Sequence, residues 1–250
     1  MSPMPCDDAD EIAAALRRAG DPETAAGQRR YLKSDLEHLG VKLPELRALL
    51  RPYIRSLGKD DHARRQLLTT AGCLWLEPVF DQRLAAAILF QRRQDLLTPD
   101  DLAVLEDYLR DSHTWALVDT LTPHPVGRLL QREPVPVGAV LDRWAADEDF
   151  WIRRAALLAH LIPLKEGDRE WPRFSRYADA MAEEREFFIR KAIGWVLRDY
   201  SRRRPDLVYE WVAPRTDRLS GVTMREAVKR LPAAQADALM AAYQQGRPAV

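Results

Sequence analysis

The sequence is short of the residues that build sites independently of a fold. Its 250 residues hold two cysteines, Cys6 and Cys73, far apart and without metal-ligand spacing. A disulfide-rich scaffold is excluded, and the pair reads as a tail thiol and a small core residue in a reducing compartment. The five histidines, His38, His62, His113, His124 and His160, form no HExxH or other ligand pair, so a structural zinc has little support. No apolar run approaches the roughly 18 residues of a membrane helix. The opening MSPMPCDDADE is acidic, where a signal peptide would be basic and then apolar. A cytoplasmic chain with no membrane partner is therefore expected. Excess charge of either sign is also missing, with 38 Lys plus Arg against 38 Asp plus Glu. A uniformly basic surface of the kind that drives phosphate binding is thereby ruled out.

What is present is helix after helix with proline punctuation. Pro22, Pro44, Pro52, Pro78, Pro99, Pro123, Pro125, Pro134, Pro136, Pro163, Pro172, Pro205, Pro214 and Pro232 fall between segments of helical periodicity, as expected of a residue that lacks an N–H and clashes with the preceding turn. Thr98-Pro99-Asp100-Asp101 and Ser220-Gly221-Val222-Thr223 each place a hydroxyl where it can cap the next helix. The one strand-like piece spans Val135 to Val140 and contains Pro136 and Gly138. The chain reads as all-α.

The helices repeat. Glu148 to Ala156 (EDFWIRRAA) matches Arg185 to Ile193 (REFFIRKAI) at an offset of 37, since 185 − 148 = 37. Met224 to Val228 matches Ile189 to Ile193 at 35, and Arg83 to Ala87 matches Arg153 to Leu157 at 70, about two periods. Helix pairs of this period cannot bury their apolar faces alone and stack into a solenoid with a concave inner surface. The expectation is one HEAT-like domain over 1–250, with 1–26 and 234–250 as terminal caps or tails.

Within that frame, Glu186 to Tyr200 (EFFIRKAIGWVLRDY) draws attention. Phe188, Ala192, Val196 and Tyr200 form one line of a helix and Ile189, Ile193 and Leu197 the next, together a buried stripe. The remaining lines carry Arg190, Gly194 and Arg198, then Phe187, Lys191, Trp195 and Asp199. Trp195 thus lies among cations, away from the core stripe. Gly194 beside it either admits a bulky ligand to the indole or eases packing of a neighbouring helix. Charge is concentrated here too, with 11 Lys plus Arg against 6 Asp plus Glu from Glu186 to Arg230. Arg29, Arg30 and Lys33 bracket Tyr31 in a smaller cluster. In HTWALVD, Trp115 and Asp119 are four apart and share a face. In FWIRR, Arg154 falls on a mostly apolar line where a guanidinium needs a partner. The residues leave open whether Arg153 or Arg154 is functional, and each of Trp115 and Asp119 also has a purely structural reading.

EFFIRKAIGWVLRDY, DFWIRRAAL, HTWALVD and RRYLKSDLEHLGVKLPELR together resemble the bacterial AlkD-type DNA alkylation-repair glycosylases, a HEAT-like repeat family. The similarity runs from about Gln28 to Leu231. It implies that Trp115 and Trp195 are the aromatic residues flanking the lesion nucleotide, that Asp119 is the catalytic carboxylate, and that Arg154 rather than Arg153 contacts the DNA backbone. Tyr31 is similar to the family's N-terminal tyrosine near the minor groove. The chain departs from the pattern in having Thr114 before Trp115, where the family often has a second tryptophan.

The residue types suit the implied chemistry. A purine alkylated at N3 or N7 carries positive charge and leaves without a general acid, so one carboxylate can suffice where ordinary glycoside hydrolysis uses two. Asp119 would stabilise the developing oxocarbenium ion and orient water, and the two indoles would face cationic sugar or base atoms. Arg154, Arg190, Lys191 and Arg198 would hold phosphates. No metal or cofactor is implied; the partner implied is double-stranded DNA with alkylated bases, bound by a monomer. The alternatives are a non-catalytic HEAT-like DNA-binding protein and a helical-repeat scaffold for protein interaction.

Overall fold

Asp, Ser and Pro residues open the helices of this chain, because a side-chain oxygen satisfies the free N–H groups of a first turn and a proline has none to satisfy. The computed structural model describes residues 6–246, and the chain divides into two compact units, 1–129 and 130–250. The first contains α1 (Asp7–Ala19), α2 (Pro22–Leu32), α3 (Leu43–Ser56), α4 (Asp61–Leu76), α5 (Phe80–Arg92), α6 (Leu102–Arg110) and α7 (Trp115–Leu121). The dividing line falls within α8 (Gly127–Arg132). The second contains α9 (Pro134–Trp144), α10 (Phe150–Leu158), α11 (Leu161–Glu166), α12 (Trp171–Ala180), α13 (Phe187–Tyr200), α14 (Pro205–Val212), α15 (Gly221–Ala227) and α16 (Ala233–Gln245). Among the described residues there is no strand, only an isolated bridge between Glu37 and Val79. The fold is all-α and built of helical repeats.

The caps expected from sequence are formed. Thr98 and Asp101 make a reciprocal capping box ahead of α6, and the Ser220 hydroxyl accepts the Thr223 N–H at 3.1 Å to open α15. Of the terminal segments 1–26 and 234–250, Met1–Pro5 and Arg247–Val250 lie outside the described residues. α1 packs on α3, α4 and α5, and α16 on α14.

Three local expectations are corrected. The strand-like piece at Val135 to Val140 is part of α9: Pro134 opens the helix, and Val137, Gly138, Leu141 and Trp144 are buried at helical spacing. Gly138 is where the Arg173 guanidinium crosses, since an added Cβ would collide with it. Pro52 does not separate helices but sits inside α3 on its exposed side, where the missing hydrogen bond faces water. Cys6 and Cys73 are bonded to each other, joining the start of α1 to α4 with Cα atoms 6.0 Å apart.

The repeat is more regular than the sequence matches showed. Six helices, α3, α5, α7, α10, α13 and α15, start at residues 43, 80, 115, 150, 187 and 221, that is at intervals of 37, 35, 35, 37 and 34. In the first unit α5 packs against both α3 and α7, and in the second α13 packs against both α10 and α15. Polar ties between successive repeats recur at the same interval. Arg64 meets Asp101 at 2.5 Å and the Trp75 Nε1–H donates to Asp111 at 3.0 Å. Arg176 and the Tyr177 hydroxyl both reach Asp142, while Tyr200, Arg203 and Arg204 converge on Asp168. Arg215 and Arg218 bind Asp179, and the Arg215 guanidinium holds that carboxyl below its ordinary pKa. Much of the basic charge between Glu186 and Arg230 is therefore consumed in stitching one repeat to the next.

Candidate functional site

α7 is short for chemical reasons. His113 adopts a left-handed backbone (φ 47°) and Thr114 an extended one (φ −150°), so the chain turns sharply into Trp115. The hydroxyls of Thr120 and Thr122 donate back to the carbonyls of Ala116 and Val118, at 2.8 and 2.7 Å. Pro123 and Pro125 then supply no N–H, and the ladder widens into a π-helical turn over Thr122–Val126, closed by the Gly127 N–H on the Thr122 carbonyl. Such turns cluster at functional sites. Leu117, Val118 and Leu121 anchor α7 in the core, which leaves Trp115 and Asp119, one turn apart, half-buried on the opposite side.

Tyr31, near the end of α2, is 73% exposed and meets the Trp115 indole edge-on, with ring centroids 5.7 Å apart and planes at 86°. The structure thus brings together Tyr31 and Trp115, two residues that sequence placed in separate motifs. Arg29, Arg30 and Lys33 flank Tyr31, are exposed, and make no ion pair among the described residues.

The remaining candidate residues lie in the second unit. Arg154 on α10 is 3% exposed; its guanidinium donates to the Phe188 carbonyl at 2.5 Å and lies 5.7 Å from the centre of the Phe188 ring. Arg153 instead bonds the carbonyls of Asp147 and Glu148 and pairs with Glu184 at 2.8 Å, which is a tie between repeats. Phe188, expected in the core, is half-buried and packs on Phe150 and Trp151, joining α10 to α13.

On α13 the two lines outside the core stripe behave differently. Arg190, Gly194 and Arg198 face α15: the Thr223 hydroxyl donates to the Arg190 carbonyl, Gly194 lies against Thr223 and Glu226, and Arg198 pairs with Glu226. The Arg190 side chain also bonds the Glu184 carbonyl at 2.6 Å. Of the two readings of Gly194, close packing of a helix is the one seen. The other line is the open one. Phe187 is 49% exposed, Lys191 is exposed with its ammonium 5.8 Å from the Phe187 ring, and Trp195 is half-buried.

Sequence reasoning missed Glu226. Burial tends to raise its pKa, but a hydrogen bond from Lys229 and the charge of Arg198 outweigh that and keep it below the usual range. The only sequence signal was the three-residue spacing of Glu226 and Lys229. Among the described residues no three of His, Cys, Asp and Glu stand close enough to hold a metal ion, and no helix is long and apolar enough to cross a membrane.

With the elements in place, comparison with known proteins is decisive at the family level. Residues 12–231 match the family described as DNA alkylation repair enzyme. The chain belongs to that family. A search of curated proteins gives no match. This DNA alkylation repair family member is similar in structure to a predicted DNA alkylation repair enzyme from Enterococcus faecalis, with a TM-score of 0.74 and 24% identity over 86% of this chain and 97% of that one. It is also similar to AlkD2 from Streptococcus mutans, with a TM-score of 0.59 and 19% identity over 84% of this chain and 99% of that one. A third solved structure, smu.31 from Streptococcus mutans UA159, aligns with a TM-score of 0.57 and 19% identity over 87% of this chain and all of that one. At these identities the likenesses establish the fold of this family member, and its chemistry rests on the residues described above.

Proposed function

We propose that this family member is a DNA glycosylase that hydrolyses the N-glycosidic bond of positively charged alkylpurines, such as N3-methyladenine and N7-methylguanine, in duplex DNA, and so initiates base excision repair. The observation that carries the reading is the geometry of α7, where a half-buried carboxylate, Asp119, stands one turn from an indole, Trp115, that packs at right angles to an exposed tyrosine, Tyr31.

The bond from the purine nitrogen to C1′ breaks with its electron pair going to the base, which leaves neutral because alkylation had made it cationic. Positive charge develops on C1′ and the ring oxygen. Asp119 supplies a fixed negative charge to that centre in surroundings less screened than bulk water. It also accepts a hydrogen bond from the water that attacks C1′, and the proton released passes to the carboxylate or to solvent. Trp115 and Trp195 present electron-rich faces, each contributing on the order of 0.5–2 kcal/mol towards a cationic sugar or base. Tyr31 holds the Trp115 ring and offers its own hydroxyl to the duplex. By the family resemblance Arg154 is the phosphate contact, and its guanidinium, buried on the Phe188 carbonyl, has to turn outward to make it. Lys191 contributes from the open line of α13, whereas Arg190 and Arg198, on the line closed by α15, are held by the Glu184 carbonyl and by Glu226.

The test is base release from duplex DNA containing N7-methylguanine or N3-methyladenine, by wild type and Asp119→Asn, with chelator present. Release by the wild type and its loss in the variant, with duplex affinity and melting temperature preserved, is the expected result. Normal release by Asp119→Asn sinks the carboxylate role. Binding without release by the wild type returns the chain to the reading of a non-catalytic DNA-binding relative.

A further inference from the structure

We propose that Arg47, Arg51 and Arg55 on α3 form a second phosphate-binding row, which holds the backbone of undamaged duplex DNA apart from the lesion. The proposal rests on the reading that this protein acts on duplex DNA, and it adds contacts beyond the site residues assigned above; only Arg47 falls within a quoted motif, at its end. Between Lys42 and Lys59 the chain carries five cations, Lys42, Arg47, Arg51, Arg55 and Lys59, against one acid, Glu45. Arg47, Arg51 and Arg55 are four residues apart, so they stand in one line along α3, and all three are exposed. None makes an ion pair among the described residues. The acids that follow are engaged elsewhere: Asp60 accepts the Ala63 N–H and Asp61 pairs with Arg64 and Arg65.

Like charges one turn apart repel, so the row works against its own helix. That stands out in a chain of zero net charge whose other arginines are so often tied to a carboxylate of the next repeat. α13 supplies the contrast. The buried positions Leu46, Leu50, Tyr53 and Leu57 have the same spacing as Ile189, Ile193, Val196 and Tyr200. In that register Arg47, Arg51 and Arg55 correspond to Arg190, Gly194 and Arg198, the line closed by α15, where Glu226 binds Arg198. On α3 the equivalent line is left open and without an acid.

An external anion of matching geometry completes it. From Arg47 to Arg55 the helix rises about 12 Å. One DNA strand carries a charge about every 3.4 Å of axis, so roughly three to four phosphates span the same length. Arginine, rather than lysine, suits phosphate oxygens because its planar fork bonds two at once.

The test uses the full chain and the triple variant R47Q/R51Q/R55Q, titrated with undamaged duplex DNA at several salt concentrations. The expected result is weaker binding and a log affinity versus log salt slope flatter by about 2–3. Single-turnover base release at saturating DNA and the melting temperature should be unchanged, and R47K/R51K/R55K should retain the wild-type slope. An unchanged slope in the glutamine variant overturns the proposal, as does an equal loss of the saturating excision rate, which would place the row in the chemistry. A wild type that binds duplex but releases no base refutes the glycosylase reading alone, because the salt slope is measured on undamaged DNA.

Discussion

Gly194 and Glu226 are in backbone-limited contact: a Cβ built on Gly194 would sit 2.6 Å from the Glu226 Cβ and 3.0 Å from the Thr223 carbonyl oxygen. A helix interior normally gains about 1 kcal/mol when alanine replaces glycine. Here the new methyl meets rigid atoms of α15, and overpacking costs about 1–3 kcal/mol, so the clash wins. Gly194→Ala should therefore lower thermal stability. It should also loosen the Arg198–Glu226 pair, which depends on the same approach of α13 to α15. A melting curve of the variant decides the matter, and a rise in melting temperature would show that α15 yields at no cost.

The disulfide gives a second expectation. Cys6 and Cys73 are separated by 67 residues, and closing a loop of that size removes unfolded-state entropy equivalent to about 4 kcal/mol. A dithiol reductant, or Cys73→Ser, should lower the melting temperature of the protein. Duplex binding below the melting transition should persist, because neither cysteine is among the proposed DNA contacts. Identical melting with and without reductant would mean that the bridge does not form in solution.

The sequence made some of this legible and hid the rest for identifiable reasons. Ile189, Ile193 and Leu197 read as core because burial of a helix face follows its period, and they are buried. The all-α class followed from the same pattern with its caps. The valines at 135, 137 and 140 misled because β-branched residues suit strands. The proline at 134, suited to a first helical turn, and the spacing of Val137, Leu141 and Trp144 were the better guides. Arg153 and Arg154 could not be told apart by periodicity, since the difference between them lies in partners 31 and 34 residues away. Nor could the surplus of basic residues after Glu186 reveal how many were bound to Asp168, Asp179 and Glu226, because an ion pair between repeats leaves no local signature. Asp119 and Trp115 were visible as a pair through their four-residue spacing. The approach of Tyr31 to Trp115 was not, being a contact between distant helices.

His160 sets a pH dependence. It is fully buried, its Nδ1–H donates to the Ala156 carbonyl at 2.9 Å, and its Nε2 has no hydrogen-bond partner. Tyr177 meets it edge-on at 5.5 Å and Phe174 packs at 5.8 Å. Burial pushes its pKa down from 6.5 to about 4. Below pH 6.5 the unfolded chain takes up a proton that the folded one refuses until about pH 4. The contribution of neutral His160 is therefore complete above pH 6.5 and fades as pH falls through that window. With a depression from 6.5 to about 4, the loss amounts to about 3 kcal/mol at most. His160→Phe keeps a ring in the same apolar pocket and removes the proton site. Denaturant unfolding of both proteins between pH 4 and 7 should show a shallower decline for the variant on the acid side. Parallel curves would mean that His160 is reached by water or protonated in the folded protein, and that the acid sensitivity lies elsewhere.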